Sequence, residues 1–250
     1  MGKFPFNVFL DERDLKNVKY SDKLVGSCVK NSCHYVDITG ETFWVRQLID
    51  KYHEEAAQKG IRIIPMCGYD SLPSDLGTFF AVKELGSPVS NVEAFHTGDG
   101  GFSGGTIETM FSMGELNLGD QLRDTFLLNP EGSVTDQQRK DSIPIKGVKK
   151  KEEIDSWIGP FIMAMANNLV VRRSAALMEQ RQEPYGKDFT YNEYSFFKSP
   201  VYGLISTVIM AISGLVLFTR FGKFFRRFFP KPGEGPSEET MKNGFFEVLY

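Results

Sequence analysis

The run from His34 to Asp75, HYVDITGETFWVRQLIDKYHEEAAQKGIRIIPMCGYDSLPSD, decides the fold class. HYVDI alternates like a short strand. In the segment after it, Trp44, Leu48, Tyr52 and Ala56 recur every four residues, with Val45 and Ile49 beside them. That spacing predicts an amphipathic helix, ended by Gly60 in the C′ position. IRIIPMC (61–67) reads as a buried strand. A turn and a second helix follow, with Ser74 as the expected N-cap, Leu76, Phe79, Phe80 and Leu85 on one face, and Gly86 at the end. Upstream, SDKLVGSCVKN (21–31) is helix-like. Residues 20–86 thus read helix, strand, helix, strand, helix, which is the pattern of a parallel α/β sheet. Ligands in such sheets bind beyond the carboxyl ends of strands. Two loops lie there, Asp37-Ile38-Thr39-Gly40-Glu41 and Gly68 to Asp75, each with backbone N–H groups, hydroxyls and carboxylates at the start of a helix. Ordinary helix capping would use the same residues.

Further on, Asn91 to His96 reads as a strand, TGDGGFSGGT (97–106) as a glycine-rich turn, and the next segment as a helix with Ile107, Met110, Phe111, Gly114 and Leu118 at helical spacing. Strand, glycine loop and helix can cradle an anion. The glycines give G-x-G-x-x-x-G instead of the dinucleotide spacing G-x-G-x-x-G, so a close-packed turn is equally compatible. Gly104 and Gly105 would supply the N–H groups. Residues 119–150 are polar and turn-rich and read as a surface excursion. The stretch 157–180, WIGPFIMAMANNLVVRRSAALMEQ, reads as apolar, with Pro160 placed to open a helix. Asn167, Asn168, Arg172 and Arg173 interrupt it. An arginine pair on a buried element suits a carboxylate or phosphate; a solvated or salt-bridged pair is the alternative.

The chain has 250 residues, 41% hydrophobic and 24% charged, with a net charge of −3. This composition is globular and excludes a general nucleic-acid binder. Three cysteines do not make a disulfide framework and point to a reducing compartment. His34, His53 and His96 lie far apart, and no His/Cys cluster has metal-ligand spacing. The first residues carry no signal-peptide pattern. Between Lys198 and Arg220 there is no charge, and ten Val, Ile, Leu or Phe residues lie between Val201 and Phe218. At the usual insertion scale they contribute about −3 to −6 kcal/mol, enough length and apolarity for a membrane helix, with a buried core helix as the alternative. In RFGKFFRRFF (220–229), Phe221, Phe224, Phe225 and Phe228 fall on one helical face and Arg220, Lys223, Arg226 and Arg227 opposite. Such a segment suits the boundary between acyl chains and anionic headgroups. Basic residues after the apolar run, together with the odd number of cysteines, favour a helix lying in one leaflet at the cytosolic face of a membrane or lipid droplet.

Six segments together resemble the saccharopine dehydrogenase-like oxidoreductases, a group related to bacterial trans-acting enoyl reductases. They are CVKNSCHYVDITGE (28–41), RQLIDKYHEEAAQKG (46–60), CGYDSLPSDLG (67–77), GGFSGGT (100–106), PFIMAMANNLVVRRS (160–174) and PKPGEGPSEE (230–239). The resemblance implies an α/β chain with an incomplete Rossmann-type parallel sheet, a second α/β domain and a C-terminal apolar and amphipathic helical anchor. The boundaries expected are 1–86 for the remnant of the dinucleotide domain, 87–198 for the substrate domain, 199–229 for the anchor and 230–250 for a polar tail. It implies NAD(P)-dependent hydride transfer to a lipid-type substrate. Asp37, Thr39, Gly40, Glu41, Asp70 and Ser71 would then face the cofactor, and Ser74, Asp75, Gly104, Gly105, Arg172 and Arg173 the substrate. Tyr69 and His96 are candidate general acids by residue type. Family members carry a turn of the type G-A-T-G-F-T-G well upstream of D-I-T-G-E, whereas only Gly2 and Gly26 precede residue 37 here. The chain is therefore expected to be N-terminally shortened. Two readings follow: a lipid-surface oxidoreductase, or an inactive module that binds a lipid surface or pairs with itself or a full-length relative.

Overall fold

The computed structural model describes residues 18–101, 103–115, 124–217, 222–231 and 233–250. Helix α1 (Val18–Lys30), strand β1 (Tyr35–Val36), helix α2 (Thr42–Gln58), strand β2 (Ile63–Ile64) and helix α3 (Leu72–Leu85) follow the order read from the sequence. β1 and β2 pair in parallel, Tyr35 with Ile63 and Val36 with Ile64. α1 packs on α2, where Val25, Cys28 and Val29 meet Phe43, Trp44, Val45 and Leu48 in one apolar cluster. Gly60 and Gly86 close α2 and α3 with φ of 64° and 61°, backbone angles that cost a side chain energy and glycine none.

A second sheet has five strands in the order β4-β5-β6-β3-β7: β3 (Asn91–Asp99), β4 (Lys149–Lys151), β5 (Ser156–Gly159), β6 (Thr190–Phe197) and β7 (Phe245–Leu249). Only its β3–β6 pair is parallel; β4–β5, β5–β6 and β3–β7 are antiparallel. The other α-helices among the described residues are α4 (Gly104–Glu115), α5 (Asp136–Asp141), α6 (Ala164–Gln180), α7 (Pro200–Leu217), α8 (Gly222–Phe225) and α9 (Glu238–Asn243). α6 joins two cores. Ala166 and Leu169 belong to the α1–α2 cluster, while Val171 and Ala175 join Val82, Val92, Ala94, Tyr185, Phe189 and Tyr191 in a cluster on the large sheet.

Several expectations are corrected. The stretch 61–67 is not a buried strand: it contributes a two-residue ladder, and Ile64 is 45% exposed on an uncovered face with Val36 and Ile38. Ser74 is not the N-cap of α3. The helix begins at Leu72, Ser71 holds the cap position, and Ser74 lies fully buried within the first turn. Pro160 lies in the connection between β5 and α6 and does not open the helix. The segment 119–150 is more than a surface excursion. Phe126 and Leu128 are core residues, the latter 1% exposed, and a capped turn of helix follows, where Thr135 and Gln138 bond each other's backbone N–H groups. Residues 245–249 do not form part of a polar tail; they add an edge strand to β3. The expected continuous Phe/Arg helix breaks into α8 and a 3-10 turn over Arg226–Phe228. Phe224, Phe225 and Phe228 are exposed, Arg226 pairs with Glu108, Arg227 covers the Phe228 ring, and Phe221 lies outside the described residues.

Leu128→Ala should therefore cost about 3 kcal/mol, because a cavity would open between two elements. Ile143→Ala, at a 66% exposed position of the same segment, should stay within about 0.5 kcal/mol. Chemical denaturation of the two variants checks this.

Candidate functional site

Beyond the carboxyl ends of β3 and β6 lies a cleft of about 470 Å³. Tyr69, Asp70 and Pro73 form one wall, Phe161 and Met163 another. His96, Thr97, Gly98, Ser195, Phe196 and Phe197 come from the strands, Phe246 and Val248 from β7, and Ser206 from α7. The register explains the polar floor. His96 lies opposite Ser195 and Ala94 opposite Glu193, so the period of two puts His96, Glu193 and Ser195 on one face. Phe161 stacks on the His96 ring at 4.3 Å between centroids. Edge-on contact between Tyr69 and Phe246 closes the other side.

Behind His96 runs a buried chain of polar groups. Ser71 Oγ donates to Asn167 Oδ1 at 3.0 Å, and Asn167 Nδ2 donates to Ser74 Oγ at 3.3 Å. Ser74 Oγ and the Tyr191 hydroxyl donate to Glu193 Oε2 at 2.8 and 2.9 Å. His96 Nε2 stands 3.2 Å from the same oxygen, too poorly aligned for a good hydrogen bond, and has no other partner. The Glu193 side chain is fully buried. Such a carboxylate is tolerated only because donors converge on it, and bonds pointing the same way along a chain polarise one another. Burial, and then Glu193, holds the Tyr191 phenol well above its ordinary range.

Asp37, Thr39 and Glu41 serve the loop itself. Asp37 Oδ1 accepts from the N–H groups of Thr39 and Met66, and its Oδ2 from the Tyr35 hydroxyl. This carboxylate ties the ends of β1 and β2 together. Thr39 Oγ1 accepts from Glu41 N–H, and Gly40 has open space around it. Burial raises the carboxyls of Asp37, Glu41 and Asp70 above their usual values. A pyrophosphate needs free N–H groups or cations, and here three carboxylates face the strand ends. These two loops do not fit the phosphates of a dinucleotide. At the glycine-rich turn the outcome is similar: Gly104 N–H bonds Glu234 O, Ser103 Oγ caps Thr106 N–H, and Gly105 lies within α4.

Neither Arg172 nor Arg173 is among the residues that line the cleft. Arg172 is 3% exposed. It donates to the carbonyl of Tyr191 through Nε and Nη2, to that of Thr125 through Nη1, and to Asn192 Oδ1. Burial lowers its pKa to about 10. Arg173 donates to Leu128 O. The pair fastens residues 125–128 to α6 and β6 in place of an anion. Of the expected site residues, Tyr69, Asp70 and His96 come together in the cleft, with Ser71 and Ser74 behind it. Glu193, Phe161, Ser195 and Phe246 were not foreseen; alternation along TYNEYSFF (190–197) was the signal available for Glu193. Among the described residues, no group of three His, Cys, Asp or Glu side chains could hold a metal ion.

The fold and the site define an α/β protein with an aromatic cleft that carries a carboxylate-backed imidazole. The chain is 32% identical to a Mycobacterium tuberculosis protein provisionally named a trans-acting enoyl reductase, over 92% of this chain and 59% of that one. It is 30% identical to a trans-acting enoyl reductase of Mycobacterium bovis, over 91% of this chain and 59% of the relative, and 28% identical to one of Mycobacterium ulcerans over the same shares. The chain thus spans about three fifths of the length of these relatives. No family model matches it, and no solved structure matches it significantly.

Asp75 provides a measurable handle on this region. Burial raises its carboxyl from 3.8 to about 6, against a smaller opposing effect of the Ser174 hydroxyl. Its folded-state pKa exceeds the unfolded one, so its protonated form favours folding below the lower value, and that contribution is lost as the pH rises through about 6. Between about pH 4 and pH 7 the native protein should lose up to about 3 kcal/mol through this group. Asp75→Asn should remove that part of the slope and be the more stable of the two at neutral pH, as paired denaturation curves would show.

Proposed function

We propose that this chain is the substrate-binding part of an oxidoreductase that acts on an apolar, lipid-type substrate at a membrane or lipid-droplet surface, with NAD(P)H as the reductant. The cleft carries this reading, because its aromatic wall is shared with α7 through Ser206. α7 has a mean hydropathy of 2.0 and is long and apolar enough to cross a membrane. Only Gly203 and Leu217 of it are buried, while Val201, Leu204, Ile205, Val208, Ile209, Ile212 and Leu215 are exposed. Its first turn is held on the body: a Cβ on Gly203 would stand 3.0 Å from Val148 and 3.1 Å from Phe197. A helix held by its first turn in this way suits insertion into one leaflet, beside the cleft that Ser206 helps to line. An apolar substrate could then pass from lipid to cleft without crossing water. The names of the mycobacterial relatives support a reductive reaction, and the resemblance to saccharopine dehydrogenase-like oxidoreductases agrees.

A second reading is an inactive module that binds a lipid surface or pairs with itself or a full-length relative. The poor fit of the strand-end loops to a pyrophosphate favours it. NADPH titration of the purified chain, followed by the fluorescence of Trp44 and Trp157, separates the two: saturable binding supports the enzyme, and no response the module. Either reading expects the chain to float with anionic phospholipid vesicles. Ile205→Asp combined with Ile209→Asp should cut the floating fraction at least tenfold, since each charge costs about 3 kcal/mol within hydrocarbon. Unchanged flotation would remove the lipid-surface reading.

A further inference from the structure

Resting on the reading of the cleft as a lipid-substrate site, we propose that it selects apolar chains bearing an uncharged hydrogen-bonding group, held by His96, and rejects free carboxylates. Three observations carry this. Among the described residues, no Lys or Arg lines the cleft. The acidic side chains at hand are Asp70 in its wall and Glu193 behind its floor, the latter with Oε1 unpartnered. His96 is clamped between the Phe161 ring and Glu193, with Nε2 turned to the carboxylate, which leaves Nδ1 as the ring nitrogen for a ligand. An imidazole nitrogen pairs with a hydroxyl whether or not it carries a proton, and with a carbonyl only when it does. A carboxylate in the same place would be desolvated beside negative charge with no cation to offset it. Glu193 is a positioning residue here, and His96 the group that meets the ligand.

The test uses the full chain in vesicles and four diazirine-bearing probes of equal chain length: an alcohol, a methyl ester, a free acid and a plain alkane. Photolabelling is mapped by peptide mass spectrometry. The alcohol or the ester should label peptides containing Phe161 and Phe246 about fivefold more than the acid and the alkane, the gain expected of one net hydrogen bond. Labelling by the ester requires Nδ1 to donate, because an ester only accepts, whereas labelling by the alcohol without the ester shows that Nδ1 accepts. His96→Phe should erase the preference while the alkane still labels α7, and His96→Gln, which keeps a polar amide, should retain most of it. Equal labelling by the acid, or a preference that survives His96→Phe, overturns the proposal while leaving the lipid site standing. Labelling confined to α7 with all four probes overturns the lipid-site reading as well.

Discussion

The guanidinium of Arg172 is the interaction on which the rest of the architecture depends. It sits in the middle of α6, between two apolar clusters, where an unpaired charge would cost several kcal/mol. Carbonyls of Tyr191 and Thr125 and the side chain of Asn192 take up its donors, and the Phe126 ring lies under it at 4.9 Å. Meeting those demands fixes three elements at once: α6, β6 and the turn at 124–129. Asn129 Nδ2 returns a bond to Arg172 O, so the turn is held from both sides. A helix with a purely apolar face could slide over the sheet, whereas this one is held in a single register.

The cleft is a consequence of that registration. Because α6 is fixed against β6, Asn167 reaches Ser71 and Ser74 on α3, and Ser74 reaches Glu193. Parallel pairing of β3 with β6 then sets His96 over the carboxylate. The C-terminal strand completes the enclosure: Phe246 and Val248 supply a wall, and the Tyr250 hydroxyl bonds Pro73 O at 2.5 Å. Burial, with Glu193 and Asp75 close by, pushes the Tyr250 phenol to about 12, so it remains a neutral donor at physiological pH.

Local patterns in the sequence were informative where one element satisfied itself. Trp44, Leu48 and Ala56 marked the buried face of α2, and Gly60 and Gly86 marked two helix ends. Tyr69, Asp70 and His96 were legible as site candidates by type and by position at strand ends. Ser74 misled because a serine two residues after Leu72 looks like a cap, while its hydroxyl is claimed by Glu193, 119 residues away in sequence. Arg172 misled in the same manner: a charge within an apolar stretch suggests a bound anion, and backbone carbonyls from a distant turn satisfied it instead.

By itself the sequence determined the order of helices and strands over 20–86 and the apolar character of 200–217, since these follow from periodicity and composition within one segment. Tertiary structure alone decided that β3 pairs with β6 and β7 in a sheet separate from β1 and β2, that Glu193 lies behind His96, and that both arginines are spent on carbonyls. Each of these depends on which distant donor reaches which buried acceptor, and no local pattern encodes that choice.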